Sequence, residues 1–383
     1  MGQSTGNPLR LRFTALGEAL RARFIERDPL VDAALAALVA GQHLLIIGPP
    51  GTAKSQLAGA LCGAIEGARG FDWLLTRFTT PEELFGPVSL AALEQDRYER
   101  LTAGKLPEAH VVFLDEVFKA SSAILNALLT VLEERRFHNG AKAIDVPLVT
   151  LVGASNELPE EEALHALYDR FLLRVVVDYI EQDFRFMQLL TLGEPPPLPT
   201  ITLAELQTAR RAAATVALDG QLLRDLPALR NRLREKGIVL SDRRWRKALA
   251  VLRASAWLAG RASADENDLP LLRHVLWNDP DERDEVAQAL DSLLTAEQSR
   301  MRELLFQARA LAEYPAEAAG DDDARARAAL EARTKLDQLK REAEALVQSA
   351  HRRGRSIAEL QRTLTEIDRL REVVRRSLGT ALQ

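Results

Sequence analysis

The feature that most constrains this chain is a glycine-rich loop placed directly behind a short apolar run. The run extends from His43 to Ile47, and the loop reads Gly48-Pro49-Pro50-Gly51-Thr52-Ala53-Lys54-Ser55. A buried strand, a tight turn and a helix start in this order aim consecutive backbone N–H groups and the positive end of a helix dipole at one point. A polyphosphate fits that point, so the pattern predicts binding of a nucleoside triphosphate.

Two side chains of the loop carry chemistry of their own. Lys54 supplies a compact cation for the β- and γ-phosphates, and the hydroxyl of Ser55 is a ligand for Mg²⁺. Ala53 departs from the usual pattern, in which a second glycine stands at this position. We expect Ala53 to lie at the helix start with right-handed dihedral angles, which suit alanine.

A second apolar run, Val111 to Leu114, ends in the carboxylates Asp115 and Glu116. Acids have no use inside a strand that is buried on both faces, but at its carboxyl end they face the crevice where parallel sheets bind ligands. Asp115 is the expected acid on the Mg²⁺ side, and Glu116 the expected base that polarises the attacking water. The spacing from the loop predicts that this strand lies beside the strand of the loop.

A third apolar run, Leu151 to Ala154, is followed by Ser155 and Asn156. An amide offers both a donor and an acceptor, so Asn156 can orient water between the γ-phosphate and Glu116. Asparagine at a strand end is also an ordinary turn residue. The two neighbouring motifs favour the functional role.

The pattern of apolar runs predicts an α/β core. From Val31 to about Asp178 short runs alternate with helical stretches, which is typical of a parallel sheet covered on both faces. Residues 79–105 are too long for a simple crossover and predict an insert. An Asn-Gly pair within residues 136–147 predicts a β-hairpin.

The pattern becomes helical after the core. Residues 192–200 contain three consecutive prolines and predict an extended linker, and a small helical domain follows. Apolar residues then step by three and four along two long segments separated by a polar turn at residues 352–354, which predicts a three-helix tail. The predicted domains are a nucleotide-binding core at 1–178, a linker and helical lid at 179–283, and a C-terminal helical module at 284–383.

Composition narrows the classes of function. The chain has 383 residues, 47% of them hydrophobic, and its formal charge of −5 gives no basic footprint for strong nucleic-acid binding. We expect a cytoplasmic protein without membrane insertion, because apolar runs are short and residues 1–7 lack the apolar core of a secretory signal. A disulfide framework is excluded by the single cysteine, Cys62, and the six histidines lack zinc-site spacing.

These motifs, in this order, resemble those of AAA+ ATPases, and their details resemble the MoxR family, especially its RavA-type members. The details are the segment from Leu75 to Pro87, the hairpin, and the run Tyr168-Asp169-Arg170-Phe171. The resemblance covers residues 28–277. It implies an AAA+ P-loop core with a parallel sheet, an all-α lid, and a ring, expected to be a hexamer, with ATP and Mg²⁺ between subunits.

The resemblance also gives roles to arginines. Arg170 matches the arginine finger, which reaches the γ-phosphate of the neighbouring subunit. Arg243 matches the sensor arginine that the lid contributes to the nucleotide of its own subunit, with Arg244 as a close alternative. A guanidinium that meets charge on the γ-phosphate accelerates phosphoryl transfer by roughly 10³ to 10⁵. The compact β-rich domain that the family can insert between the last two helices is missing here.

The resemblance implies a Mg²⁺-dependent ATPase that remodels a protein client in a chaperone-like manner, with a partner that carries a von Willebrand A domain. Three alternatives stay open. A small-molecule kinase would share the loop, but it does not need the pair Asp115 and Glu116 together with an external arginine. A scaffold would bind nucleotide without turnover. A DNA-remodelling motor would use a similar hairpin, although the acidic charge balance argues against it.

Overall fold

The computed structural model describes residues 8–159, 161–193, 195–293, 296–317, 322–352 and 358–381. Its described residues fall into two compact units: unit 1 within Met1–Ile180 and Glu194–Leu290, and unit 2 within Glu181–Gly193 and Asp291–Gln383. Residues 181–193, placed by the sequence pattern in the linker and lid, group with the C-terminal helices. The predicted domain boundaries stay predictions.

Unit 1 is built on a central parallel sheet. The strands of unit 1 are β1 Leu44–Ile47, β2 Ile65–Glu66, β3 Gly70–Leu74, β4 Val111–Asp115, β5 Arg136–Asn139, β6 Lys142–Asp145, β7 Thr150–Ser155, β8 Leu173–Val176, β9 Ile201–Thr202, β10 Ala217–Leu218 and β11 Ser263–Ala264. Five of them form the central sheet in the order β3-β4-β7-β1-β8. Every residue of β1 and β7 is buried, which explains why β1 and the interior of β7 from Leu151 to Ala154 show no polar alternation. The predicted α/β fold class is confirmed.

The order of the strands corrects one expectation. The strand that ends in Asp115 does not lie beside β1, because β7 pairs in parallel with β1 on one side and with β4 on the other. Neighbours in such a sheet are set by how the crossover helices pack, which distance along the chain does not fix. The correction places Asn156, which follows β7, between the phosphate loop and the two carboxylates.

Helices surround the sheet and continue to the C-terminal part of the chain. They are α1 Pro8–Arg23, α2 Asp28–Ala40, α3 Lys54–Gly63, α4 Pro81–Phe85, α5 Leu90–Leu93, α6 Ser122–Glu134, α7 Glu162–Arg170, α8 Asp183–Thr191, α9 Leu203–Ala214, α10 Gly220–Glu235, α11 Asp242–Leu258, α12 Arg283–Asp291, α13 Ala296–Glu317, α14 Asp322–Arg352 and α15 Ala358–Ala381. In unit 1, α2 contacts β1 and β8, and α3 contacts β4 and β7. No described helix is long and apolar enough to cross a membrane.

Two elements lie outside the central sheet, and side chains from both of them join the two. The segment between β3 and β4 contains α4, α5 and a bridge between Val88 and Arg100, and β5 and β6 form an antiparallel hairpin. The amide of Asn139 accepts a hydrogen bond from the backbone N–H of Arg100 at 2.6 Å and donates one to its carbonyl at 3.0 Å. Phe85 stacks on Phe137 with ring centroids 5.2 Å apart. The insert and the hairpin therefore form one body.

A buried arginine ties the sheet to the lid. Arg174 in β8 is only 1% exposed, and its guanidinium donates to the carbonyls of Trp277 at 2.6 Å, Tyr168 at 3.2 Å and Phe171 at 3.2 Å. Its charged carbon also lies 3.8 Å from the centre of the Tyr168 ring. Burial lowers the pKa of Arg174 to about 9. Carbonyl oxygens and a π face thus hold a cation within the core.

Replacing Arg174 by methionine tests this connection. The Arg174→Met variant leaves three buried carbonyls without their donors, so we expect the free energy of unfolding to fall by about 2–4 kcal/mol. Urea denaturation followed by circular dichroism measures the loss. The matched control is Arg224→Met on the exposed side of α10, for which we expect a change within about 0.5 kcal/mol. Equal effects of the two substitutions would contradict the assignment.

Unit 2 is a bundle of helices. Its core is formed by the apolar seams of α13, α14 and α15, with the buried side chains Met301, Leu304, Ala308, Ala332, Leu336, Ala343, Ile367 and Val374. Ion pairs between the last two helices lie outside the core, Lys340 with Asp368 at 2.7 Å and Arg371 with Asp337 at 2.8 Å. The short helix α8 packs on α13. Residues 353 and 354 of the predicted turn lie outside the described residues.

Candidate nucleotide-binding site

The glycine-rich loop leaves the carboxyl end of β1 and is fixed to the sheet at its first residue. The N–H of Gly48 donates to the carbonyl of Ser155 at 3.0 Å. A Cβ atom at Gly48 would lie 2.2 Å from the carbonyl oxygen of Val177, so only glycine fits there. Inside the loop, the hydroxyl of Thr52 donates to the carbonyl of Pro49 at 2.9 Å. The loop is therefore held in shape by hydrogen bonds of its own.

Lys54 and Ser55 begin the helix behind the loop. The ammonium of Lys54 donates to the carbonyls of Gly48 and Pro49, both at 2.7 Å, which leaves its third N–H for a phosphate oxygen. Burial lowers the pKa of Lys54, and the charges of Asp115 and Glu116 act in the opposite direction. Ser55 is exposed in the first turn of α3. A cation and a hydroxyl thus lie side by side at the helix N-terminus.

Ala53 corrects an expectation about the loop. Its dihedral angles are φ 65° and ψ 21°, in the left-handed region, rather than the right-handed angles expected from its place at the helix start. An L-residue with a Cβ pays roughly 1–2 kcal/mol in this region, which is why a glycine is usual here. The helix begins one residue later, at Lys54, so Ala53 is still part of the turn. The loop therefore carries local backbone strain.

Substitutions at Ala53 report on this strain. A β-branched residue is a genuine outlier in the left-handed region, so Ala53→Val should distort the loop and weaken ATP binding by about tenfold. Ala53→Gly removes the strain and should bind ATP at least as tightly as the parent chain. Titration with a fluorescent ATP analogue separates the two variants. Equal affinities for valine and glycine would show that the left-handed turn is not required for binding.

The carboxylates Asp115 and Glu116 lie at the end of β4. The Oδ1 atom of Asp115 accepts a hydrogen bond from the N–H of Glu116 at 3.0 Å, and Lys119 lies 3.3 Å from Oε2 of Glu116. Glu116 has a φ of 52°, a second left-handed residue in the site. Such strain persists where surrounding structure holds it, and it clusters at active sites. The carboxylate of Asp115 and the hydroxyl of Ser55 are hard oxygen ligands of the kind that Mg²⁺ prefers.

Asn156 follows the central strand of this edge. The hydroxyl of Ser155 donates to the carbonyl of Glu157 at 2.7 Å and turns the chain as it leaves the sheet. Asn156 itself is exposed. Because all five strands are parallel, the residues that follow β1, β4 and β7 meet at the same edge. The structure brings together the loop, Asp115, Glu116 and Asn156 as the sequence predicts.

The two predicted arginines lie at the other edge of the sheet. Arg170 ends α7 just before β8, and α6 reaches the same level, since the ring of His43, directly before β1, lies 3.2 Å from the carbonyl of Leu132. The four residues of β1 span about 13 Å from one edge of the sheet to the other, and α6 is long enough, at about 20 Å, to cover that distance. Arg243, expected to act on the nucleotide of its own subunit, forms its ion pairs at this amino edge. The depth of the sheet lies between these contacts and the loop of the same subunit, and the role of Arg243 toward a nucleotide stays a prediction.

Arg170 and Arg243 share the same counterions. Glu133, at the end of α6, lies 3.2 Å from Nε of Arg170 and 2.8 Å from Nη1 of Arg243. Asp169 pairs with Nη2 of Arg243 and lies 3.9 Å from Nη1 of Arg170. Lys247 also lies 3.5 Å from Glu133. We call the group of Glu133, Asp169, Arg170, Arg243, Arg244 and Lys247 the arginine cluster; its four cations exceed its two carboxylates.

Arg244 has a different environment from Arg243. It is 2% exposed, and its guanidinium donates to the carbonyls of Leu172 at 3.0 Å and Val275 at 2.9 Å. Burial raises the pKa of Asp169, but the charges of Arg244 and Arg243 outweigh that effect and hold the pKa below its usual value. Arg244 therefore acts as a buried link between the residues just before β8 and the lid. The sequence reasoning missed Glu133, which no local pattern marks.

Comparison with known proteins shows which family the chain resembles. A family model for the MoxR domain of MoxR–vWA–β-propeller ternary systems matches residues 11–196, and a model for an AAA lid domain matches residues 221–290. The chaperone MoxR1 of Mycobacterium tuberculosis is 28% identical over 177 residues, which cover 45% of this chain and 46% of that protein. The chain belongs to the MoxR family of AAA+ ATPases.

More extended similarity links this MoxR-family chain to two uncharacterised proteins of Methanocaldococcus jannaschii. Each is 45% identical over 267 residues, which cover 69% of this chain and 71% or 70% of the relative. The crystal structure of a protein provisionally assigned as an ATPase, from Cytophaga hutchinsonii, superposes with a TM-score of 0.59 at 15% identity and covers 74% of this chain and 93% of its own. At that identity the structural match shows the fold alone.

Proposed function

We propose that this MoxR-family chain hydrolyses ATP in a Mg²⁺-dependent reaction at sites shared between identical subunits. The edge formed by the phosphate loop, Asp115, Glu116 and Asn156 binds the nucleotide and places the water. Arg170 and Arg243 of a neighbouring subunit complete the site. The observation that carries the proposal is the separation of these two groups by the depth of one sheet.

We call the edge formed by the phosphate loop, Asp115, Glu116 and Asn156 the nucleotide edge. Each of its residues has a defined task in the proposed reaction. Lys54 and the backbone N–H groups of the loop bind the β- and γ-phosphates. Glu116 takes the proton of the attacking water, and the Asn156 amide orients that water in line with the scissile bond. Ser55 and Asp115 would hold Mg²⁺, which neutralises charge on the phosphates.

The arginine cluster supplies the remaining charge. Its six side chains carry a formal excess of two positive charges, which favours an anion from outside the subunit. Donors fixed where negative charge develops stabilise the transition state of phosphoryl transfer. Arg243 is the better partner of Arg170 than Arg244, because the carbonyls of Leu172 and Val275 engage Arg244 inside the fold.

A ring follows from a site of this kind. An interface that joins the nucleotide edge of one subunit to the arginine cluster of the next is heterologous. Such interfaces close into a ring when the rotation between successive subunits allows it. We propose a hexameric ring of the RavA type that remodels a protein client. The partner is a protein with a von Willebrand A domain, as in the ternary systems after which the matching MoxR domain is named.

Complementation between two inactive variants tests the shared site. Glu116→Gln subunits lose their base but keep their arginines, whereas Arg170→Ala subunits keep their base but lack the finger. Each variant alone should hydrolyse ATP at least about a hundredfold more slowly than the parent chain. Co-expressed together they should regain activity, because an Arg170→Ala site then receives Arg170 from a Glu116→Gln neighbour.

Two measurements accompany this test. The specific ATPase activity of the parent chain should rise with protein concentration as size-exclusion chromatography with light scattering shows assembly. A complementing mixture should lose its activity on dilution to the monomer. An Arg170→Ala variant that is fully active as a monomer would contradict the shared site.

The partner is tested separately. A von Willebrand A domain protein from the same organism should co-purify with this chain in the presence of ATP when both are expressed together. Glu116→Gln slows hydrolysis and should retain more partner than the parent chain if the ATP state holds the complex. Failure to recover such a protein in either state would contradict the proposed partner while leaving the ATPase proposal in place.

A further inference from the structure

The arginine cluster contains a carboxylate whose position the proposed chemistry does not explain. Glu133 is the last but one residue of α6, and its side chain is 35% exposed. Three cations from two elements surround it: Arg170 of α7 at 3.2 Å, and Arg243 and Lys247 of α11 at 2.8 and 3.5 Å. A carboxylate beside an arginine finger competes with phosphate, so its presence requires a reason.

The reason lies in the charges of the two arginines. Two guanidinium groups on one carboxylate repel each other, and long side chains that are partly exposed swing apart when nothing holds them. Glu133 is the common counterion of Arg170 and Arg243. Removing it leaves Asp169 alone to balance four cations, and Arg244 already shares Asp169.

Glu133 contacts the two arginines in different ways. Glu133 lies 3.2 Å from Nε of Arg170 without the alignment of a hydrogen bond, and Asp169 lies 3.9 Å from Nη1 of Arg170. Within the described part of the chain, the terminal N–H groups of Arg170, which can bind phosphate in parallel, make no hydrogen bond. Arg243 differs, because both of its terminal nitrogens face carboxylates. Arg170 can meet a phosphate without leaving Glu133, whereas Arg243 has to exchange one carboxylate for it.

We infer that Glu133 is a positioning residue of the shared site, which holds Arg170 and Arg243 as one unit for the triphosphate of a neighbouring copy of this chain. The inference rests on the proposed function. Helix α6, which ends at Glu134, begins three residues after Lys119, the ion-pair partner of Glu116. The same rigid element therefore extends from the nucleotide site of one subunit to the arginines offered to the next.

The test uses the complementing mixture of Glu116→Gln donor subunits and Arg170→Ala acceptor subunits. Glu133→Gln is added either to the donor, which supplies the arginines, or to the acceptor, which supplies the nucleotide edge. Glutamine keeps the size and the helix propensity of glutamate but loses the charge. We expect kcat of the mixture to fall about tenfold when the donor carries Glu133→Gln and to stay unchanged when the acceptor carries it. KM for ATP should change less than twofold.

Two further variants sharpen the comparison. Glu134→Gln makes the same chemical change one residue later, where the described part of the structure shows no ion pair, and as a donor substitution it should leave the restored activity intact. Glu133→Asp keeps the charge but shortens the side chain by one methylene, so it should also lower kcat in the donor. Circular dichroism and light scattering of each variant report folding and assembly independently of activity.

The outcomes separate the two proposals. If the mixture without any change at Glu133 regains no activity, the shared site is wrong, and the positioning role falls with it. If the mixture is active and Glu133→Gln donors match Glu134→Gln donors, the shared site stands and the inference on Glu133 is overturned. An equal loss in donor and acceptor shows a general structural effect and also overturns it.

Discussion

The directionality of the parallel sheet is the constraint on which the proposed chemistry depends. Parallel strands place all of their carboxyl ends at one edge, so the phosphate loop, the acids after β4 and the amide after β7 meet there. The helices that return across the faces of the sheet necessarily end at the other edge, where α6 and α7 deliver Glu133 and Arg170. In the proposed reaction, one subunit therefore contains both halves of the site but cannot bring them together.

Each half is held in place by a different kind of interaction. The nucleotide edge relies on backbone geometry, with Ala53 and Glu116 both in left-handed conformations between well-packed elements. The edge that carries the arginine cluster relies on buried cations, because Arg174 and Arg244 donate to carbonyls of the residues just before β8 and of the lid. Removing water from these cations costs free energy, which the carbonyl and ring contacts offset.

Sequence patterns predicted what is decided within a few residues. The loop, the two acids, the amide, the hairpin turn and the α/β class all follow from apolar runs and from the residues that end them. The strand order, the dihedral angles of Ala53 and the edge at which Arg243 lies did not follow. The strand order and the edge at which Arg243 lies depend on packing between segments far apart in the chain. The left-handed turn at Ala53 depends on where the helix begins, which sequence patterns fix only within one or two residues. Glu133 has no local signature because its role exists only once α6, α7 and α11 meet.

The balance of charge in the arginine cluster links folding to assembly. A subunit on its own has to keep two arginines near each other at a half-buried surface, which requires a counterion. A fully neutralised cluster, however, would have no attraction for a triphosphate. Two carboxylates against four cations satisfy both demands, because they hold the side chains in place and leave positive charge for the neighbour's nucleotide. A third carboxylate at this edge would strengthen the lone subunit and weaken the shared site, so the deficit of negative charge is itself a functional feature of the proposed ring.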